Sequence, residues 1–94
     1  MVGADEYHGL IIILDTRFAS YYPYLGNQAE FQALLNEYHL VLRNHHITFQ
    51  SMPSSEREGV KWLRQNRGMI DTLFIQFCEI KNKLDFVLRK YGYG

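Results

Sequence analysis

GLIIILD, residues 9–15, decides the fold class. Five consecutive large aliphatics closed by Asp15 read as a buried parallel strand, and ITFQSM, residues 47–52, offers it a neighbour. The same residues also read as part of a helix from about Asp5 to Tyr22, with Leu10, Ile13, Leu14, Phe18 and Tyr21 turned inward. The β-branched run Ile11–Ile13 lowers helix propensity only slightly, and tertiary packing overrides a term that small. Helix is the favoured reading, which makes the chain all-α. A small α/β protein with strands near 9–15 and 47–52 stands as the alternative.

Outward from this stretch, Pro23 and Pro53 fall where the apolar periodicity breaks and divide the chain into three segments. In the middle one, Asn27 and Glu30 have the spacing of a capping box. Phe31, Leu34, Leu35, Tyr38 and Leu42 then mark one buried face of a helix over about 28–43. After Pro53, Ser55 and Glu58 repeat the capping logic ahead of Val60 and Leu63, and Gly68 is the expected stop. Beyond it, Ile70, Leu73, Phe77, Ile80, Leu84, Val87 and Tyr91 recur at alternating spacings of three and four. That seam fits one long helix or two shorter ones joined at Asn82.

A chain of 94 residues with 47% apolar content suits a single domain over 1–94, burying about 60–65% of its unfolded surface. Ten Lys plus Arg balance ten Asp plus Glu, so no global field draws in nucleic acid or an anionic membrane. The balance conceals an asymmetry. Residues 1–54 carry two basic and five acidic groups, a formal charge of −3, and residues 55–94 carry eight and five, giving +3. If the halves present different faces, copies can stack acidic face to basic face in a heterologous contact. The single cysteine, Cys78, precludes an intrachain disulfide and fits a reducing compartment. Asp5 and Glu6 stand where a signal peptide carries Lys or Arg, and Leu10–Leu14 is far shorter than a membrane span of about 20 residues. These features place the protein in the cytoplasm.

No constellation with catalytic or metal-binding spacing emerges. His45 and His46 are adjacent, so on a helix they diverge by about 100°, and with His8 and His39 they match no Cys/His finger or paired-histidine zinc motif. Cys78 lies between Phe77 and Ile80 and reads as packing, and Asp15 has no glycine-rich loop or second carboxylate to complete a phosphate or metal site. Tyr21, Tyr22 and Tyr24 are suited to stacking on bases, yet no basic residue lies between Arg17 and Arg43 to grip phosphate. They divide instead between core and protein-contact surface. Lys61, Arg64, Arg67 and Lys90 suggest the basic face of a helix-turn-helix, but its reading helix, IDTLFIQFCEI, has no Arg or Lys to offer base edges.

Residues 60–88, VKWLRQNRGMIDTLFIQFCEIKNKLDFVL, resemble the death-effector subgroup of the death fold. FIQFCEIKNKLDFVL also looks like the C-terminal part of bacterial effector-associated death-like domains. In the eukaryotic subgroup a fifth helix opens with Arg-x-Asp-Leu, and here Lys83-Leu84-Asp85-Phe86 occupies that place. Lysine lacks the planar fork of arginine, so the carboxylate pairing of that motif is weakened. The resemblance implies a compact death-fold-like bundle of five to six helices, with Lys83 and Asp85 exposed and paired to an acidic residue of helix two, for which Glu30 and Glu37 are the candidates.

The expected protein is therefore a non-enzymatic adaptor without cofactor, making homotypic contacts with itself or another death-like domain in signalling or defence complexes. Glu30, Glu37, Tyr21 and Tyr22 would form one contact face, and Lys61, Arg64, Arg67 and Lys83 the other. The rival reading is a helical subunit of a larger complex that dimerises through the 70–91 heptad face. A homo-oligomer is expected either way.

Overall fold

The computed structural model describes residues 3–93, which form four helices: α1 (Ala4–Leu25), α2 (Ala29–Phe49), α3 (Glu56–Gln65) and α4 (Arg67–Lys90). Three are long, at 22, 21 and 24 residues, and they give the molecule its elongated 46 × 21 × 18 Å shape. α4 is the spine. It packs most closely on α2 and also against α1, while the 10-residue α3 closes back on α4.

All-α is the outcome at residues 9–15, and no strand occurs among the described residues. The α/β alternative is overturned, because a helical period divides the aliphatic run between two environments. Leu10, Ile11 and Leu14 are buried, whereas Ile12 and Ile13 face outward. Tyr7, Phe18 and Leu25 extend the buried stripe along α1, so the helix has a partner-facing side far longer than a five-residue strand could offer. The supposed second strand, 47–52, is the end of α2, whose Phe49 ring packs 5.8 Å from Tyr7 and 5.3 Å from Trp62 between centroids.

The helix count is four rather than the five to six expected, and local chemistry accounts for the difference. Asn82 is exposed within an unbroken α4, where it interrupts nothing on the buried seam. The α3–α4 break falls at Asn66, ahead of Gly68. Asn66 donates its side-chain amide and its backbone N–H to Trp62 O at 2.9 and 3.0 Å, and its own carbonyl accepts from Ile70 N at 3.0 Å. One residue thus ends α3 and begins α4, and Gly68 lies inside the new helix.

Other boundaries shift for similar reasons. Pro23 removes one backbone donor but sits on the solvent side, so α1 continues to buried Leu25. The Asn27–Glu30 capping box does not form. α2 begins after Gln28 without a side-chain cap, and it runs to Phe49 rather than to about residue 43. The second capping signal holds, with Ser55 Oγ accepting from Glu58 N at 3.2 Å. α4 ends on Gly92 at φ +85°, where Tyr93 N donates to Leu88 O at 2.7 Å and Gly92 N to Arg89 O at 3.1 Å, a glycine C-cap that satisfies the last carbonyls.

The core is one cluster along the α4 seam. Phe77, Ile80 and Leu84 are fully enclosed together with Leu14, Phe31 and Tyr38. The 70–91 heptad face therefore fills the chain's own interior against α1 and α2, apart from half-buried Ile70 and Tyr91 at its ends.

Candidate functional site

Charged residues separate from the core at the helix edges, and nine of the twenty form ion pairs within the chain. Lys83 Nζ donates to Glu37 at 3.1 Å, and Lys90 Nζ to Glu30 at 2.8 Å, both linking α4 to α2. Tyr91 also donates to Glu30 at 2.8 Å. The hydrogen bonds from Lys90 and Tyr91 hold the Glu30 carboxyl below its ordinary pKa, and the same contacts raise the two donors. Asp85 accepts from Arg17 of α1, and from Lys81 one turn earlier at 3.1 Å. Lys83 and Asp85 thus lie well inside α4 rather than opening a fifth helix, and both are engaged in ion pairs of the chain itself.

The remaining residues singled out in the sequence are dispersed. Arg67 lies 3.7 Å from Asp71, an i,i+4 pair at the start of α4. Lys61 and Arg64 project from the outer face of α3 among Glu56, Arg57 and Glu58, a mixed rather than basic surface. Tyr21 is half-buried with its ring 5.3 Å from Tyr93, and Tyr22 is exposed beside Phe31 at 6.4 Å. These residues do not converge on one face.

An apolar groove of about 560 Å³ lies at the other end of the bundle, where the start of α1, the end of α2, α3 and the start of α4 meet. Tyr7, His45 and Phe49 form its aromatic floor, and Met52, Leu63 and Ile70 line its walls. Asp5, His8, Arg67 and Asp71 complete the lining. The floor arises because α2 continues past residue 43, which carries His45 and Phe49 along the same helical stripe as Tyr38. Tyr7 comes from the first turn of α1.

Within the floor, the Tyr7 hydroxyl and His45 Nδ1 share a hydrogen bond at 2.8 Å. The His45 ring lies 4.7 Å from Phe49 and 6.3 Å from Phe77 between centroids. Burial, followed by the neighbouring charges of His46 and His8, lowers the His45 pKa below the usual histidine value. Burial pushes the Tyr7 phenol up to about 12. At neutral pH the phenol therefore keeps its proton and the imidazole is neutral.

Two other groups with chemical potential have structural partners. Tyr38, fully buried, donates its hydroxyl to Asp15 of α1 and approaches Ile11 O at 3.4 Å. This contact tethers α1 to α2 and leaves Asp15 bound rather than poised over a ligand. Cys78 is half-buried, and burial raises its thiol pKa, which keeps it protonated and weakly nucleophilic. Among the described residues no group of three or more His, Cys, Asp or Glu side chains is placed to hold a metal ion, and no helix is long and apolar enough to cross a membrane.

The groove residues were within reach of the sequence pattern. Tyr7 stands three before Leu10 and seven before Leu14, extending the α1 stripe back to the helix start, and His45 stands seven after Tyr38 on the α2 stripe. What the pattern omits is that both stripes converge on the same end. Comparisons with protein-family models, curated proteins and solved structures find no match.

Proposed function

We propose that this chain is a non-enzymatic helical adaptor that captures apolar side chains of a partner protein in the groove between α1, α2, α3 and α4. The carrying observation is the groove, whose aromatic and aliphatic lining holds a few polar groups at its edge, the composition suited to an apolar ligand fixed by a small number of polar contacts. The groove also lies apart from the ion pairs that occupy Lys83, Asp85, Glu30 and Glu37. Binding there leaves those ion pairs undisturbed and meets only the Arg67–Asp71 pair of the lining. The resemblance of residues 60–88 to death-effector domains supports an adaptor role, in a bundle with fewer helices than that architecture. It also carries the finer fold reading of a death-like module.

The geometry favours capture by apolar contact over stacking through Glu30, Glu37 and Lys83, since those three are engaged in ion pairs inside one chain. An amphipathic helix is the fitting occupant, presenting two apolar side chains one turn apart. Asp5 in the lining complements a cation beside them. The test is selection of helical peptides of about 14 residues from a displayed library, followed by amide and methyl shift mapping on the full chain. Shifts centred on Tyr7, His45, Phe49, Leu63 and Ile70, with binding lost in Ile70→Glu, support the reading. Shifts centred instead on α3's outer face or the Lys83–Glu37 edge overturn it.

A further inference from the structure

We infer that a cavity between the second half of α1 and the end of α4 binds a phosphate monoester carried on a planar ring. It lies away from the apolar groove and is independent of the reading given to that groove. Arg17 and Tyr21 of α1 line it together with Asp85, Leu88, Arg89 and Tyr93 from α4 and its cap, and it encloses about 390 Å³. That volume is within the range of small-molecule sites, about 300–1,000 Å³.

The charge here is out of balance. One oxygen of Asp85 accepts from Arg17 Nη1 and the other from Lys81 Nζ at 3.1 Å, so one negative charge is shared between two positive ones. Arg89, one turn further along α4, pairs with no carboxylate among the described residues, and its Nε donates only to the Asp85 backbone carbonyl at 3.3 Å. Asp15, two residues before Arg17, is turned to Tyr38 on α2. The carbonyls that close α4 are also taken, those of Val87, Leu88 and Arg89 accepting from the N–H groups of Tyr91, Tyr93 and Gly92. Three cations against one carboxylate leave a formal surplus of two, in a chain whose net charge is zero. A phosphate monoester brings about 1.5–2 negative charges at pH 7 and matches that surplus, whereas a carboxylate or a sulfate ester brings one.

The unused donors suit the same ligand. A guanidinium presents its N–H groups in a planar fork. Arg17 commits Nη1 to Asp85 and keeps Nε and Nη2, while Arg89 commits Nε and keeps both Nη groups. Each remaining edge can take two oxygens of one phosphate. Leu88 is buried beneath them, and Tyr21 and Tyr93, with ring centroids 5.3 Å apart, supply an aromatic wall that Tyr24 backs at 6.0 Å from Tyr93. A flat ring can pack on that wall while its phosphate meets the arginines. In the sequence these tyrosines have no cation after Arg17 until Arg43; the packing of α1 on α4 provides one, Arg89, from the far end of the chain.

The experiment titrates the full chain with phenyl phosphate at constant ionic strength, read by calorimetry and amide shift mapping, with phenyl sulfate and inorganic phosphate as matched probes. Shifts should centre on Tyr21, Leu88, Arg89 and Tyr93, and phenyl phosphate should bind more tightly than either the singly charged sulfate ester or phosphate without a ring. Arg89→Gln breaks no ion pair, so it should leave the melting temperature unchanged while weakening phenyl phosphate about tenfold to a hundredfold. Tyr93→Leu should weaken phenyl phosphate and leave inorganic phosphate unaffected. Asp85→Asn should tighten phenyl phosphate even though it breaks two ion pairs, a gain that a purely structural charge cluster would not show. Adenosine monophosphate and O-phosphotyrosine amide then distinguish the two sources of this chemistry, a nucleotide and a phosphorylated tyrosine, by which binds more tightly. Equal affinity for phenyl phosphate and phenyl sulfate, unchanged binding in Arg89→Gln, or no shifts at the cavity with millimolar phenyl phosphate overturns the inference. The shift map of the groove, centred on Tyr7, His45 and Phe49, is separate from every one of these outcomes.

Discussion

Replacing Phe77 by alanine should remove between about a fifth and all of the stability of this fold. The side chain is fully buried, and its ring centroid lies 6.0 Å from Tyr7 on α1, 6.0 Å from Tyr38 and 6.3 Å from His45 on α2. Three helices meet on it, so no single helix can move in to fill the space. Truncation of a phenylalanine in such a position costs about 3–5 kcal/mol. A domain of 94 residues at about 0.05–0.15 kcal/mol per residue has about 5–14 kcal/mol in total. The melting temperature should fall by about 12–40 °C, at roughly 4–8 °C for each kcal/mol in a domain of this size. Phe86→Ala is the internal control, since that ring is 65% exposed on the opposite side of α4 and should change stability by less than about 0.5 kcal/mol. Urea unfolding followed by circular dichroism, at two protein concentrations tenfold apart, makes the measurement. Equal losses for the two variants would refute the assignment of the 70–91 seam to the interior. A wild-type midpoint that rises with protein concentration would place that seam between chains instead.

Three further perturbations test separate parts of the structure. Gly92→Ala forces a Cβ into φ +85° at the end of α4 and should cost about 1 kcal/mol, whereas Gly92→Asn should cost less, both by thermal melts. Ser55→Ala removes the acceptor for Glu58 N and should weaken α3 by about 1 kcal/mol, seen as faster hydrogen exchange in α3 with little change in α4. Lys83→Glu sets two carboxylates against each other on an exposed edge and should cost about 0.2–1 kcal/mol at low salt, less at high salt, with recovery in the Glu37→Lys double variant.

The helical face of each long segment was legible because burial imposes a period, and the period survives in the order of residues. Leu10, Leu14 and Phe18 in α1, Phe31, Leu34 and Tyr38 in α2, and the whole α4 seam from Leu73 to Val87 are buried as their spacing requires. Helix ends were less legible, because each is settled by a contest among local hydrogen bonds. Ser55 wins its cap, and Asn27 loses to a helix that starts two residues later. Gly68 has the residue type of a stop, but Asn66 already supplies the hydrogen bonds that end α3. Ile13 shows the limit of periodicity itself. A stripe fitted to Leu10, Leu14 and Phe18 can be widened to either side, and only the position of the neighbouring helices selects Ile11 for burial and leaves Ile13 outside.

The charge asymmetry between the two halves carries the broader lesson about function. A negative first half and a positive second half are what head-to-tail stacking of copies requires, and equally what two antiparallel helices of one chain require. Composition does not distinguish these cases, because Coulomb attraction depends on separation and not on whether the charges share a backbone. Chain connectivity distinguishes them. When α2 and α4 are held side by side by Phe31, Tyr38, Phe77 and Leu84, the edge positions Glu30, Glu37, Lys83 and Lys90 are brought together at no further cost in association entropy. A partner copy would have to supply the same attraction while also losing translational and rotational freedom, a penalty of several kcal/mol against exposed pairs worth about 0.2–1 kcal/mol each. The ion pairs within the chain therefore win at ordinary concentrations.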